Sequence, residues 1–166
     1  PQWQQMWSWA WDKLLHPKVA VLWWQILHRC LRVNVLVHKF NPRISDQCPV
    51  CKRGSETIEH CFFLCDHLRL VWDWLFSLFQ VSLTSQQVLL ALYPSTWTEL
   101  QSQAFHLAAG WLLWTIWTRR RLVIFKGLAV ADNSVLQEVR GNIAKTYHCS
   151  SLFPRKKRLI FEEYLD

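Results

Sequence analysis

The spacing of cysteine and histidine constrains this chain more tightly than any other feature. Cys48 and Cys51 are separated by two residues, His60 follows after eight more and Cys65 after a further four, which gives the pattern C-x2-C-x8-H-x4-C. A tight turn can direct two thiolates with this spacing at one tetrahedral ion, and a second pair nearby completes the coordination. The segment therefore predicts a metal site of the zinc knuckle type, with the ligand order CCHC.

The composition of the ligand set predicts what the ion does. Three thiolates and one imidazole occupy all four positions around a tetrahedral zinc ion and leave none for water or a substrate. We therefore expect one structural zinc ion, whose binding contributes directly to folding. The spacing alone leaves Cys61 or His67 open as replacements for His60 or Cys65.

The sequence predicts no catalytic centre, so an enzyme is not expected. Its acidic residues are scattered, and no local pattern pairs a serine or cysteine nucleophile with a histidine base. A zinc deaminase would need a His-x-Glu and a Pro-Cys-x-x-Cys around an open metal position, whereas here the paired cysteines precede the histidine. Glu56 and Glu59 flank the ligands and are expected to act as their hydrogen-bond partners.

Composition restricts the class of protein. The 166 residues are 51% hydrophobic, with 12 Trp but only 4 Gly, which argues against disorder and against a turn-rich β-protein. No signal peptide is predicted in residues 1–11, and the missing initiator Met suggests a fragment or excised domain. Metal then explains the six Cys better than disulfides do, in a reducing nuclear or cytoplasmic compartment. The longest apolar stretch, residues 104–117, is too short to cross a membrane.

Apolar residues at helical spacing predict an all-α fold, an irregular helical domain of six or seven helices with the zinc knuckle inserted after the third. Pro17 suits the first turn of a helix whose apolar stripe continues to a buried Cys30. Gly54 is expected to take a positive φ in the knuckle, Asp66 to cap the next helix, and Gly127 to end the longest one. The predicted helices cover residues 3–15, 17–30, 34–40, 67–79, 85–92, 97–126 and 132–147, and residues 56–64 are expected to be helical within the zinc segment.

Two parts are expected along the chain: a zinc-binding domain at residues 1–80 and a C-terminal helical extension at residues 81–166 that packs on it. Between residues 70 and 118 the acidic and basic residues, histidine aside, are Asp73 and Glu99. So long an uncharged stretch belongs either to the core or to a contact with a partner.

The residues around the ligands stand in a recognisable order. In chain order they are Trp11, Pro17-Lys18-Val19, Leu22-Trp23-Trp24-Gln-Ile-Leu27-His28, Cys48-Pro-Val-Cys51, Glu56-Thr57-x-x-His60-x-Phe62-Phe63-x-Cys65 and Trp72. Over residues 7–76 this order resembles the reverse-transcriptase zinc-binding domain, which follows the polymerase in polyproteins of non-LTR (LINE-type) retrotransposons. The stretch Trp114-Thr-Ile-Trp117-Thr-Arg-Arg120-Arg-x-x-x-Phe125 is similar to one that often comes after this domain. The chain departs from the family with Gln25, where Arg is usual, and with Arg121, where Asn is frequent.

The resemblance implies a ligand set and a function. The ligands would be Cys48, Cys51, His60 and Cys65. The domain would bind RNA or DNA without catalysis and hold it near an upstream polymerase region of the parent polyprotein. Neither a membrane nor a small-molecule substrate is expected as a partner. One alternative is a protein-interaction module in which the uncharged residues 70–118 dock on the parent polymerase or on another subunit. Another is a retrotransposon remnant without a selected function.

A net charge of +7 agrees with a nucleic-acid partner. Basic side chains would contact phosphates, and Trp24, beside His28 and Arg32, is the best candidate to stack on a base. For the arginines at 119–121 the alternative is a solvated helix end favoured by the helix dipole, and for residues 155–158 an ordinary charged tail. The candidate nucleic-acid contacts are Lys52, Arg53, Trp24, Arg32, Arg119, Arg120, Arg121, Arg155, Lys156, Lys157 and Arg158.

Overall fold

The computed structural model describes residues 8, 14–128 and 132–149, and the regular structure of these residues is helical. Four α-helices lead to the longest one: α1 (Pro17–Leu27), α2 (Asn34–Phe40), α3 (Arg69–Leu78) and α4 (Ser85–Leu89). A π-helical turn (His60–Leu64) and a 3-10 turn (Asp66–Leu68) precede α3, and α5 (Glu99–Lys126) and α6 (Asp132–Cys149) follow α4. The prediction of an all-α fold is confirmed. The helix predicted at residues 3–15 falls almost wholly outside the described residues.

Helix α5 is the centre of the fold. Its 28 residues are buried almost continuously from Ala104 to Leu113, as expected for a helix that is apolar nearly all round. Helix α1 packs on it so closely that a Cβ added at Gly110 would lie 2.9 Å from side-chain atoms of both Leu15 and Val19. Helix α6 contributes Val135 and Val139 to the same core. None of the described helices is both long and apolar enough to cross a membrane.

Capping side chains determine where two of the later helices begin. Thr84 and Gln87 form a reciprocal capping box at α4, and Thr98 and Gln101 form another at α5. The second box explains why α5 begins at Glu99 rather than at residue 97. At the other end of α5, Gly127 adopts φ 63°, which confirms the predicted end of this helix. Helix α4 ends at Leu89, earlier than predicted, and the chain then turns through Ala91 with φ 52°.

Two local predictions are corrected. Cys30 is exposed rather than buried, because α1 ends at Leu27 and Arg29 turns the chain with φ 52°, so the helical stripe does not continue. Asp66 does not cap the helix that follows it, because its carboxylate accepts a hydrogen bond of 2.9 Å from Arg53 instead. The chain therefore enters α3 through a 3-10 turn without a side-chain cap.

One hydrophobic core joins the early and late parts of the described chain. Trp23 and Ile26 of α1, Phe62 of the π-helical turn and Leu112 of α5 belong to the same buried cluster. The division into a domain at residues 1–80 and an extension at 81–166 stays a prediction. Residues 70–118, which the sequence assigned to the core or to a partner, supply many of the buried side chains of α3 and α5.

Candidate metal centre

The four expected ligands converge on one point. The sulfur atoms of Cys48, Cys51 and Cys65 and a ring nitrogen of His60 all lie within 4.8 Å of one another. Among them, Cys51 Sγ lies 3.3 Å from His60 Nε2. A tetrahedral zinc ion with ordinary bond lengths places neighbouring ligand atoms about 3.6–3.8 Å apart. The donor set and its spread therefore fit a zinc ion, with Nε2 as the imidazole ligand.

The first two ligands lie on a short loop, residues 48–54, here called the cysteine loop. Its ends are joined by a hydrogen bond of 2.7 Å from the Cys48 amide to the Gly54 carbonyl, beside a bridge between Gln47 and Ser55. The positive φ expected at Gly54 is found instead at Lys52, with φ 59°, because the chain reverses two residues earlier than predicted. That the loop is a zinc knuckle in the strict sense stays a prediction.

The π-helical turn brings the other two ligands together. In an α-helix, side chains five residues apart point about 140° away from each other, so His60 and Cys65 could not share an ion. Here the Cys65 amide donates to the His60 carbonyl at 3.0 Å, five residues back, and Cys65 itself is extended with ψ 132°. Thr57 accepts a hydrogen bond from the His60 amide at 3.0 Å and fixes the start of the turn. The sequence predicted a helix at residues 56–64 but not this π-helical turn.

The surroundings of two of the sulfur atoms shift the pKa values of their thiols. The pKa of the Cys48 thiol is lowered to about 4, chiefly by a hydrogen bond from Cys65 and further by the backbone amides of Cys51 and Val50, although burial opposes this. The pKa of Cys65 is raised by its hydrogen bond to Cys48, by burial and by the nearby negative charge. Metal ligation requires the thiolate form of each cysteine, so a divalent ion bound here would displace any remaining thiol proton.

The rival ligands are excluded by position. Cys61 is buried beside the site, where burial and the nearby Glu56 carboxylate raise the pKa of its thiol well above the ordinary value. Its sulfur is not among the four ligand atoms that converge. His67 also stands outside that group, although its backbone amide donates a hydrogen bond to the Cys65 sulfur.

The comparison with protein families agrees with this geometry. Residues 2–72 match the family described as zinc-binding in reverse transcriptase. The match includes all four converging residues and ends at Trp72, so helices α4 to α6 lie beyond it. No curated protein and no solved structure has significant similarity to the chain.

A buried ion pair ties the segment that matches this family to α5. Arg120 donates two hydrogen bonds of 2.6 Å to Glu56, one to each carboxylate oxygen. The Glu56 side chain is 1% exposed and that of Arg120 is 6% exposed. The nucleic-acid role predicted for Arg120 is therefore wrong, because a phosphate cannot reach its guanidinium. Both carboxylate oxygens of Glu56 accept from Arg120, and one of them also accepts from the Asn34 amide. Glu56 therefore does not hydrogen-bond a ligand side chain, although this was expected.

Further contacts complete the surroundings of Arg120. Its guanidinium also donates to the Arg32 carbonyl and to the Asn34 side chain, at 3.3 Å and 3.2 Å. Its central carbon, Cζ, lies 4.7 Å from the centre of the Trp117 ring. Such a network satisfies the charges that burial would otherwise leave unpaired. The sequence placed Arg120 and Trp117 in a stretch similar to one that follows the zinc-binding domain, and the ion pair gives that stretch a structural role.

The remaining predicted nucleic-acid residues lie in different surroundings. Lys52 on the cysteine loop, Arg32 and Arg121 are exposed. Arg53 is exposed but paired with Asp66, and Arg119 is half-buried and paired with Glu138 at 2.8 Å. Trp24 is half-buried, with its ring centre 4.5 Å from that of His28. Residues 155–158 lie outside the described part of the chain.

Sequence reasoning overlooked three exposed residues at the end of α2. Lys39, Phe40 and Arg43 lie on the surface, and Phe40 is 83% exposed, the largest value among the exposed large hydrophobic side chains described. The absence of any acidic residue from position 13 to position 45 could have drawn attention to this segment. The periodicity of apolar residues gives no such signal, because it does not distinguish an exposed phenylalanine from a buried one.

Proposed function

We propose that the four converging residues hold one zinc ion, and that the domain this ion stabilises binds RNA or DNA, without catalysis, for a reverse transcriptase. The match of residues 2–72 to the zinc-binding family supports the metal and the link to a reverse transcriptase. Three thiolates and an imidazole leave no open position on the ion, which favours a structural role. The nucleic-acid partner is supported by the distribution of charge.

The nucleic-acid proposal rests on a stretch of sequence that contains cations but no acidic residue. Residues 13–45 include six lysines and arginines and no acidic residue. Two of these cations have partners, since Arg29 pairs with Glu59 at 2.7 Å and Lys18 lies 5.0 Å from the centre of the Trp111 ring. Arg32, Lys39 and Arg43 are exposed, and the ion pairs found in the described chain do not include them.

A phosphate backbone is the partner that such a surface fits best. Lysine and arginine bind phosphates regardless of base sequence, and each contact releases bound counterions. The logarithm of the binding constant should therefore fall linearly with the logarithm of the salt concentration, by about 0.7 per contact for single strands and about 0.9 for duplex DNA.

The binding test uses the zinc-loaded chain with single-stranded RNA and duplex DNA over a range of salt concentrations. Lys39→Glu, Arg43→Glu and Lys52→Glu should each weaken binding and lower the salt slope by about one contact. Arg69→Glu is the matched control, because it reverses an exposed cation on α3 that already faces Asp73 at 3.8 Å. Wild-type protein that fails to bind either nucleic acid at low salt would refute the nucleic-acid part of the proposal.

The metal test is independent of the binding test. Purified protein should contain one zinc per chain, and Cys48→Ser or His60→Ala should release it and lower solubility because metal binding is coupled to folding. Cys30→Ser is the matched control, since this cysteine is exposed and outside the cluster. Wild-type protein without zinc would contradict the central assignment.

A specific surface also favours a second function, docking on the upstream polymerase region of the parent protein. Leu64 and Leu70 are 67% and 63% exposed. Leu64 lies in the lining of an open cleft together with Phe63, Trp72 and Phe76. Leu64→Asp combined with Leu70→Asp should abolish binding to the polymerase region and leave nucleic-acid affinity unchanged. Unaltered binding to the polymerase region would eliminate this second function.

A further inference from the structure

We propose that Phe40 and the turn that follows α2 form a stacking platform for an unpaired base, with Lys39 and Arg43 holding the phosphates on either side. The platform, here called the Phe40 platform, consists of residues 39–44. This inference rests on the proposed nucleic-acid function and narrows its ligand to single strands.

The position of the Phe40 ring is unusual for so large an apolar group. It is 83% exposed at the last residue of α2, a helix without a fully buried side chain. Burial of a phenylalanine ring is favourable, and Phe40 leaves most of this free energy unused in the folded chain. A flat apolar ring held in water offers that energy to a partner that can cover it.

The backbone around Phe40 is well ordered by hydrogen bonds. The Asn41 amide donates to the Val37 carbonyl at 2.9 Å, and the Ile44 amide donates to the Asn41 carbonyl at 3.0 Å. The Asn41 side chain accepts from the Arg43 amide at 3.2 Å. The ring nitrogen Nδ1 of His38 lies 2.6 Å from the Ile44 carbonyl oxygen and closes the turn from the other side. A ring presented from a fixed turn loses little backbone entropy when it binds a ligand.

Charge selects the chemistry of the occupant. Lys39 and Arg43 flank Phe40 within three residues, and both are exposed. The nearest acidic residue along the chain, Asp46, accepts a hydrogen bond of 2.6 Å from Ser55. Two cations around an apolar ring match a base with its two adjoining phosphates, because the base provides a face for stacking and the phosphates provide the charge.

The same geometry favours a single strand over a duplex. Inside a duplex each base face is already covered by its neighbours, so a flat ring on a surface turn has no base face to contact. An unpaired base presents its whole face, and base–aromatic stacking tolerates any sequence. The Phe40 platform should therefore add affinity for single-stranded RNA or DNA and none for duplex DNA.

The test measures the binding of zinc-loaded full-length protein to a single-stranded RNA, to an abasic strand of equal length and to duplex DNA. Phe40→Ala should weaken binding to the RNA by about 5- to 100-fold. Binding to the abasic strand and to the duplex should not change, because neither offers a free base. The salt slope should stay constant in Phe40→Ala and fall by about 0.7 in Arg43→Ala. Phe40→Trp should restore or exceed wild-type affinity.

Phe125→Ala is the matched control. Phe125 is 76% exposed near the end of α5 and adjoins Lys126 as Phe40 adjoins Lys39, so its removal changes the surface to a similar extent. The proposal is overturned if Phe40→Ala leaves RNA affinity unchanged, if it weakens the abasic and duplex complexes equally, or if Phe125→Ala has the same effect. It is overturned as well if the substitution changes only self-association, since the ring would then serve a protein contact. Each of these outcomes leaves salt-dependent binding by the wild type intact, whereas failure of the proposed function abolishes that binding.

Discussion

Arg120 donates two hydrogen bonds of 2.6 Å to Glu56, and both side chains are almost fully withdrawn from solvent. Breaking a buried pair by removing one partner is costly because the other charge stays buried without compensation. A pair on the surface contributes far less, since water screens both charges. The surroundings of a residue, more than its type, therefore decide what each arginine of the 119–121 run contributes.

Replacement of Arg120 measures this difference. Arg120→Ala should lower the free energy of unfolding of the zinc-loaded protein by about 3–5 kcal/mol. Arg119→Ala, which removes the neighbouring half-buried pair with Glu138, should cost about 1 kcal/mol or less. Denaturant unfolding followed by circular dichroism gives both values, and equal effects would contradict the role assigned to the buried pair.

Among the elements, the π-helical turn depends on a partner from α3. Its geometry leaves the Phe62 carbonyl at the end of a helical segment, and the Trp72 indole N–H donates to that carbonyl at 2.7 Å in the protein interior. The Trp72 ring also stacks on Phe63, with ring centres 4.8 Å apart. The turn that joins His60 and Cys65 is thus supported from outside its own segment.

Loss of this support should weaken the metal site. Trp72→Phe leaves the buried Phe62 carbonyl without its donor, at a cost of about 1–3 kcal/mol in stability. Zinc affinity, measured by competition with a chelator, should fall with it. Trp74→Phe changes a half-buried indole two residues away and serves as the control. Undiminished zinc affinity in Trp72→Phe would show that the turn holds its ligands without α3.

The packing of α1 on α5 gives a second test at this scale. Gly110→Ala should destabilise the fold by about 1–3 kcal/mol, because the added methyl group would press against the stiff Val19 side chain at 2.9 Å. Gly141→Ala, in α6, meets no atom within 4 Å and should stabilise the helix by about 0.5–1 kcal/mol. Thermal unfolding of the two variants distinguishes these opposite signs.

Most helices could be predicted from the sequence, because their signals are local. The bounds of α2, the Pro17 start of α1 and the Gly127 end of α5 follow from periodicity and from residues that cap or break helices. Cys30 was misjudged because the apolar stripe continues in the sequence after the helix has ended. The π-helical turn was missed because no residue type marks it.

The sequence could narrow the choice of metal ligands, but it could not predict what surrounds the metal site. The spacing left Cys61 and His67 open as ligands, and the folded structure shows that neither is among the four residues whose ligand atoms converge. The burial of Arg120 was unpredictable from local sequence because its partner lies 64 residues away. Within the run of three arginines at 119–121, the sequence does not distinguish the buried residue from its neighbours.

At the scale of the whole molecule, the core extends beyond the part that matches the family. The match ends at residue 72, whereas the buried cluster includes side chains of α5 and α6. A chain cut after residue 80 should therefore remain largely unfolded, even with zinc in excess, because α1, Glu56 and Phe62 lose the surface that covers them. Adding residues 81–166 as a separate chain should restore helical circular dichroism and zinc retention. A folded, zinc-loaded 1–80 fragment would show that the early part is an independent domain.

The link between Glu56 and Arg120 also has a consequence for synthesis on the ribosome. The carboxylate leaves the ribosome 64 residues before the guanidinium that neutralises it. At about 5–20 residues per second, this interval lasts about 3–13 seconds. All four metal ligands are present once Cys65 follows, nine residues after Glu56, while burial of the segment that carries them still leaves the Glu56 charge without its partner. The nascent chain thus has several seconds in which zinc can reach an open site before α5 closes over it.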